Sequence, residues 1–312
     1  MKSQFSINEI KGQSIALQFF ETYLRKPETI PPLLILHGPD GVGKWSTAER
    51  FCFQLLCMEG TGCMNCQSCK LFLIQQHPDY IQFPVDSKIP IGQDEKEPAE
   101  FTIRWLIKKR IQYQPHLSKY RIVLFPDASL INQEAETSLL KTLEEPPSHT
   151  RFIFIVDDLL KLKQTIISRG ITIPFQFLNR SLVKELSDTL QLPSDVYLGG
   201  SLHPLNVPNE VLDIMETQIR ESIGDSYRML ELELWLKNYK ERHPEWEENF
   251  DYQELLESFF LLLIHQYYIS EIKNKYEILE IIYEHKEIIH RKTPGLEPFL
   301  LSNLFSKLSK FD

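Results

Sequence analysis

Five apolar-edged residues running straight into a glycine loop and a helix fix the centre of this chain. Leu33-Leu34-Ile35-Leu36-His37 reads as a short buried strand. Gly38-Pro39-Asp40-Gly41-Val42-Gly43-Lys44 follows, and Ala48, Phe51 and Leu55 then recur at helical spacing. A strand, a glycine-rich turn and a helix in that order aim backbone N–H groups at an anion, so the segment predicts a phosphate-cradling loop. The alternation continues downstream. Strands are expected at 80–83, 121–125, 152–156 and 171–175, with helices at 70–76, 101–112 and 134–143 between them. Strands alternating with helices imply a parallel α/β sheet.

After residue 175 the pattern changes. One short helix is expected at 181–190, and from about residue 208 helical spacing dominates, with apolar faces at 211–223, 229–236, 255–268, 278–289 and 299–308. The charge changes too. Residues 1–207 hold 22 basic and 22 acidic side chains, whereas 208–312 hold 12 and 21, so the whole net charge of -9 lies in the last third. A shift of that kind marks a domain boundary and argues against this third gripping nucleic acid by phosphate neutralisation. A length of 312 residues is a prior of two or three domains, and the divisions fall at 1–175, 176–207 and 208–312. The longest solid apolar run is six residues, 259–264, far short of the ~20 a membrane helix needs. The first residues lead into no long apolar stretch, so no secretory signal is expected and the reading is cytoplasmic.

All five cysteines, Cys52, Cys57, Cys63, Cys66 and Cys69, fall in one short window. Cys63-x-x-Cys66-x-x-Cys69 can converge on one tetrahedral ion, and Cys57 is close enough to complete a closed, structural four-cysteine zinc site over 57–69. Reduced thiols without metal, or a redox pair, are the alternative. Cys52 reads as a buried helix residue. His77 is a weaker ligand candidate, better read as loop structure before Pro78.

The phosphate loop departs from G-x-x-x-x-G-K-[ST] at one place. Gly38, Gly41, Gly43 and Lys44 are present, but Trp45 stands where a hydroxyl would hold magnesium. Indole offers only an N–H donor and cannot coordinate a cation. Ser46 is one residue late, about 100° round the helix. ATP or ADP binding remains open while the magnesium site looks impaired. Asp127, after the 121–125 strand, is either the remaining magnesium ligand or a cap for the next turn. Asp157-Asp158 follows the next strand, where a carboxylate would repel a terminal phosphate. Arg104, Lys108, Lys109, Arg110, Lys119 and Arg121, with no acid between Glu100 and Asp127, form either a DNA- or neighbour-facing edge or an ordinary solvated face.

These residues resemble one family. Ile10-x-Gly12-Gln13, the cysteine knuckle, His77-Pro78-Asp79, Leu139-Leu140-Lys141-Thr142-Leu143-Glu144-Glu145-Pro146-Pro147, Ser168-Arg169, Gly199-Gly200-Ser201 and Pro294-Gly295-Leu296 resemble the clamp-loader branch of the AAA+ ATPases, closest to its bacterial delta-prime members. Gly170 stands where the Ser-Arg-Cys motif has Cys, and His203 lies near where active members place a sensing Arg. The resemblance implies an α/β P-loop AAA+ domain with an inserted zinc knuckle, a small helical lid and an all-α C-terminal collar for oligomerisation. It implies assembly in a ring with gamma/tau and delta subunits, which load a sliding clamp on primed DNA as part of DNA polymerase III. It also implies that Arg169, beside Ser168, is an arginine finger acting on a neighbour's ATP, with this chain's own hydrolysis lost. The alternatives are an active gamma/tau-like ATPase subunit and a stand-alone zinc-dependent nucleic-acid-binding protein.

Overall fold

The computed structural model describes residues 5–85, 87–190, 200–202, 207–239, 252–290 and 297–311. Gly199, His203 and Pro294-Gly295-Leu296 therefore lie outside the described residues. The chain divides into two compact units, Met1–Leu178 and Asn179–Asp312.

The first unit is built on five parallel strands: β1 (Leu33–His37), β2 (Tyr80–Gln82), β3 (Arg121–Phe125), β4 (Thr150–Val156) and β5 (Ile171–Pro174). Their order across the sheet is β2-β3-β4-β1-β5. β1 is thus paired on both edges, with Leu34 opposite Ile153 of β4 and Ile171 of β5. Alternation of side chains along a strand divides the core into two layers. Leu34, Leu36, Ile122, Leu124, Ile153 and Ile155 face α1 (Ser14–Arg25), α2 (Lys44–Leu56) and α3 (Gln67–Leu73). Leu33, Ile35, Val123, Phe125, Phe152 and Phe154 face the opposite layer, which carries α5 (Gln133–Glu144) and α6 (Gln164–Ile167). Strands buried on both faces explain why they read as solid apolar runs.

The helix expected at 101–112 starts later. Phe101 has φ 57°, and the Thr102 hydroxyl caps the first turn by accepting from the Trp105 N–H at 3.2 Å. That turn, α4 (Ile103–Trp105), widens into a π-helical stretch over Leu106–Ile111. α3 starts earlier than 70 because the Cys66 sulfur caps it, accepting from the Cys69 N–H.

The second unit is helical: α7 (Arg180–Leu190), α8 (Asn209–Ser222), α9 (Ser226–Lys237), α10 (Tyr252–Ile269), α11 (Lys275–His290) and α12 (Glu297–Leu308). Among the described residues α8, α9, α12, α11 and α10 pack in a closed cycle. α10 is buried nearly all round, from Leu255 through Tyr267. Polar pins cross the bundle. Gln266 donates to Glu216 at 2.9 Å, and Lys237 donates to the Ser302 hydroxyl at 2.7 Å. No described helix is long and apolar enough to cross a membrane.

Candidate functional site

The phosphate-type loop leaves the carboxyl end of β1, between the ends of β4 and β5. Gly38 has φ 134°, and a Cβ there would sit 2.1 Å from the Phe175 carbonyl oxygen. Only glycine lets the loop pass this close to the chain leaving β5. The Gly38 N–H donates to the Asp157 carbonyl at 3.2 Å. Gly41 and Gly43 also have positive φ, and Gly43 forms the N-cap of α2. Gln13 secures the loop from beneath. Its side-chain amide donates to the Val42 and Gln176 carbonyls at 3.1 and 2.7 Å and accepts from the Gln176 N–H at 3.0 Å.

Lys44 is buried, and its ammonium donates to the carbonyls of Gly38 and Pro39 and to Asp40 Oδ1. Burial and this ammonium together lower the His37 pKa. Trp45 packs against the apolar layer beneath α2. Thr47, one turn into the helix, spends its hydroxyl on the Gly43 carbonyl at 2.7 Å. Ser46 is half-buried, and its carbonyl accepts from Arg50. Asp127 acts as a cap here: its Oδ1 accepts from the Ser129 N–H at 2.9 Å and the Ser129 hydroxyl at 2.6 Å. Asp157 pairs with Lys161 at 3.1 Å.

The cysteine quartet converges. One sulfur from each of Cys57, Cys63, Cys66 and Cys69 lies within 4.8 Å of the others. Cys57 and Cys66 are 4.0 Å apart. A tetrahedral zinc with Zn–S near 2.3 Å needs sulfurs about 3.8 Å apart, so the donor set fits that ion. The N–H groups of Cys63, Cys66 and Cys69 each point at a preceding cysteine sulfur at 3.4 Å. Burial opposes ionisation of Cys57, but N–H groups of Cys63, Glu59 and Thr61 outweigh it and bring that thiol down to about 6. Cys52 is fully buried in α2 and burial pushes its thiol up. His77 is not directed at the cluster: Nε2 bonds the Ser68 hydroxyl at 2.7 Å and Nδ1 accepts from the Asp79 N–H at 3.1 Å.

The basic segment is largely consumed inside its own unit. Arg121 is 2% exposed and reaches Asp79, which is 0% exposed, at 3.5 Å. It also donates to the Arg110, Tyr113 and Gln114 carbonyls. Asp79 accepts three backbone N–H groups, from His116, Leu117 and Ser118, at 2.7, 2.7 and 2.9 Å. Arg104 donates to the Gly92 carbonyl, Lys108 and Lys109 pair with Asp94 and Glu97, and Arg110 stacks on Trp105 while donating to the Pro78 carbonyl. Only Lys119 of the six points outward without such a tether, its ammonium 5.5 Å from the Tyr120 ring centre. These contacts hold most of the segment's positive charge within its own unit.

Ser168 caps the carboxyl end of α6 and Arg169 follows it, just before β5. The Ser168 hydroxyl donates to the Thr165 carbonyl at 3.1 Å. Arg169 donates to the same carbonyl at 2.6 Å and to Glu144 at the end of α5. Because Leu34 is in register with Ile171, Arg169 lies at the amino end of the strands, whereas the glycine loop leaves the carboxyl end. The strand between them spans roughly 15 Å. A Cβ on Gly170 would fall 2.9 Å from the Leu33 side chain and 3.0 Å from that of Ile35. Core side chains therefore occupy the space that a cysteine would need.

The structure thus gathers the four cysteines, and it gathers the glycines with Lys44, but it keeps Arg169 apart from its own loop. Three contributors escape motif reading. Gln13 belonged to a recognisable box with no assigned role, and the Asp79–Arg121 and Glu144–Arg169 pairs join residues 42 and 25 positions apart.

A parallel sheet with a glycine loop and buried lysine after one of its inner strands defines a P-loop-like α/β fold. Residues 12–179 match the family model described as DNA polymerase III, delta subunit. The chain belongs to that family. It is 31% identical over 170 residues to the DNA polymerase III subunit delta' of Pseudomonas aeruginosa, covering 50% of this chain and 49% of that one. It is 28% identical over 154 residues to the tau/gamma subunit of Haemophilus influenzae, covering 48% of this chain and 21% of that one. Among solved structures, a DNA polymerase III gamma subunit-related protein from Thermotoga maritima is 16% identical, with a TM-score of 0.40, covering 94% of this chain and 99% of that one. The matches span about a fifth to a half of these curated relatives' lengths.

Proposed function

We propose that this chain is a delta-prime-type stator of the DNA polymerase III clamp loader. It assembles with gamma/tau and delta subunits in the cytoplasm and helps place a sliding clamp on primed DNA. Its own ATP hydrolysis is lost, and it supplies Arg169 in trans. The observation that carries this reading is the position of Arg169 at the sheet end opposite its own loop, where only another molecule's nucleotide can meet it. Trp45 in the magnesium-ligand position supports the loss of hydrolysis. In this reading residues 1–175 form the ATPase-like domain, 176–207 the lid and 208–312 the collar. Cys57, Cys63, Cys66 and Cys69 hold a structural zinc. Gly38, Gly41, Gly43 and Lys44 retain a vestigial nucleotide loop, with Ser46 and Asp127 contributing little to magnesium.

In the mechanism, the guanidinium of Arg169 offers a planar, permanently charged fork to the terminal phosphate of a neighbour's ATP. Charge that develops on the transferring phosphoryl oxygens is stabilised by such a group, at a gain of ~10³-fold or more in rate. The test is reconstitution with gamma/tau-type and delta subunits. The isolated chain is expected to show no magnesium-dependent ATP hydrolysis, and Arg169→Ala to assemble normally while lowering ATPase of the complex. Unchanged ATPase refutes the finger role, and a chain that binds neither partner refutes the whole reading. The relatives named gamma or tau favour a second reading, an active ATPase subunit. Magnesium-dependent turnover by the purified chain would decide for it.

A further inference from the structure

Arg169 is exposed over 29% of its side chain, yet it is not a loose surface arginine. One terminal nitrogen donates to the Thr165 carbonyl at 2.6 Å, one turn back. The other donates to Glu144 Oε1, the last residue of α5. α5 and the chain entering α6 are joined a second time by Lys163 and the nearly buried Glu136, at 2.5 Å. The guanidinium is therefore referenced to two elements packed on the sheet. It has five N–H donors, and these two contacts leave three for an incoming anion. An arginine must give up much of its rotamer freedom when it grips a phosphate, and a group that orders it beforehand removes part of that cost.

We propose that Glu144 is a positioning residue for Arg169. It fixes the guanidinium plane against α5 so that the remaining donors meet a neighbour's terminal phosphate already oriented. The inference rests on the trans-acting reading of Arg169, and it assigns a role to an acidic side chain within the Leu-Glu-Glu-Pro-Pro end of α5. Because the pair is partly solvated, its effect is modest: loss of the carboxylate should cost about two- to five-fold in rate.

The experiment is a double-mutant cycle in the complex reconstituted with gamma/tau-type and delta subunits, with assembly checked by co-elution. Glu144→Ala is expected to lower kcat about two- to five-fold with KM for ATP unchanged. Glu144→Gln, which can still accept the hydrogen bond, is expected to recover part of the loss. In an Arg169→Ala background Glu144→Ala should change nothing further. In the full chain alone, selective arginine labelling should show the guanidinium of Arg169 rotating slowly, and faster in Glu144→Ala. If Arg169→Ala impairs turnover while Glu144→Ala does not, the positioning role is overturned and the finger role stands. A further loss in the Arg169→Ala background, or failure of Glu144→Ala to assemble, assigns Glu144 to packing and also overturns it. Full activity of Arg169→Ala removes both.

Discussion

Replacing Asp79 by Asn removes one charge and no volume, and its cost can be worked from the contacts. The carboxylate is wholly buried, accepts three backbone N–H groups from the 116–118 turn and faces the buried Arg121 guanidinium. Asparagine offers one acceptor oxygen and turns an NH₂ toward donors it cannot satisfy. It also leaves Arg121 with a buried positive charge and carbonyl partners only. Removing one member of such a pair costs about 3–5 kcal/mol, and the three N–H bonds are lost within that figure rather than on top of it. With a urea slope near 2 kcal/mol/M, the midpoint of the first unit should fall by about 1.5–2.5 M. Tryptophan fluorescence from Trp45 and Trp105, both in that unit, reports the transition.

The pH dependence has a definite sign. Burial alone would raise the Asp79 pKa, but the three N–H groups and Arg121 outweigh it and hold it below the ordinary aspartate value. Stability from the ionised carboxylate is therefore complete above the unfolded pKa of about 3.9 and is lost as pH falls through the lower folded value. Asparagine does not titrate, so the gap between the two proteins should be full at about pH 6 and should narrow below about pH 4. A midpoint shift under about 0.5 M at neutral pH, or a gap that widens in acid, refutes the reasoning.

Other outcomes follow from the same contacts. Gly38→Ala should lower the melting temperature through a loss of about 1–3 kcal/mol, because its Cβ meets the Phe175 carbonyl and its φ is strained; an unchanged melt would contradict the close approach. Gln13→Ala forfeits three hydrogen bonds that join the glycine loop to Gln176, each worth about 1 kcal/mol net. Amide exchange of Gln176 should accelerate by one to two orders of magnitude. The purified chain should release one zinc per molecule on thiol modification, and Cys66→Ser should abolish that release, since it removes one of the four thiolate ligands while its hydroxyl can still cap α3.

Local chemistry was readable from the sequence wherever its partners are close along the chain. β1 and β3 occupy the expected residues, because apolar runs bounded by turn residues specify a doubly buried strand. The four cysteines converge because their spacing and turns leave little alternative. What could not be read were charges whose partners lie far away. Arg121 looks like one of six members of a basic edge until Asp79 is placed beside it. Lys108 and Lys109 look unpaired until the loop carrying Asp94 and Glu97 folds back over them. The late start of α4 has a different cause: one residue with positive φ and one threonine cap overrule the periodicity. Arg169 was picked out by motif, but its carboxylate partner required the tertiary contact between α5 and α6.

The placement of β1 also sets an order of events during synthesis. Leu33, Leu34, Ile35 and Leu36 are all wholly buried, yet both strands that cover their edges lie more than a hundred residues downstream. At ~5–20 residues per second, a ribosome takes on the order of ten seconds to deliver β5 after β1 has appeared. Until β4 emerges both edges of β1 are bare, and one stays bare until β5 follows, the condition that favours mispairing with other chains. Fragments that stop before residue 171 leave the β5-side edge of β1 bare permanently, so expression trials should keep the chain intact at least through β5.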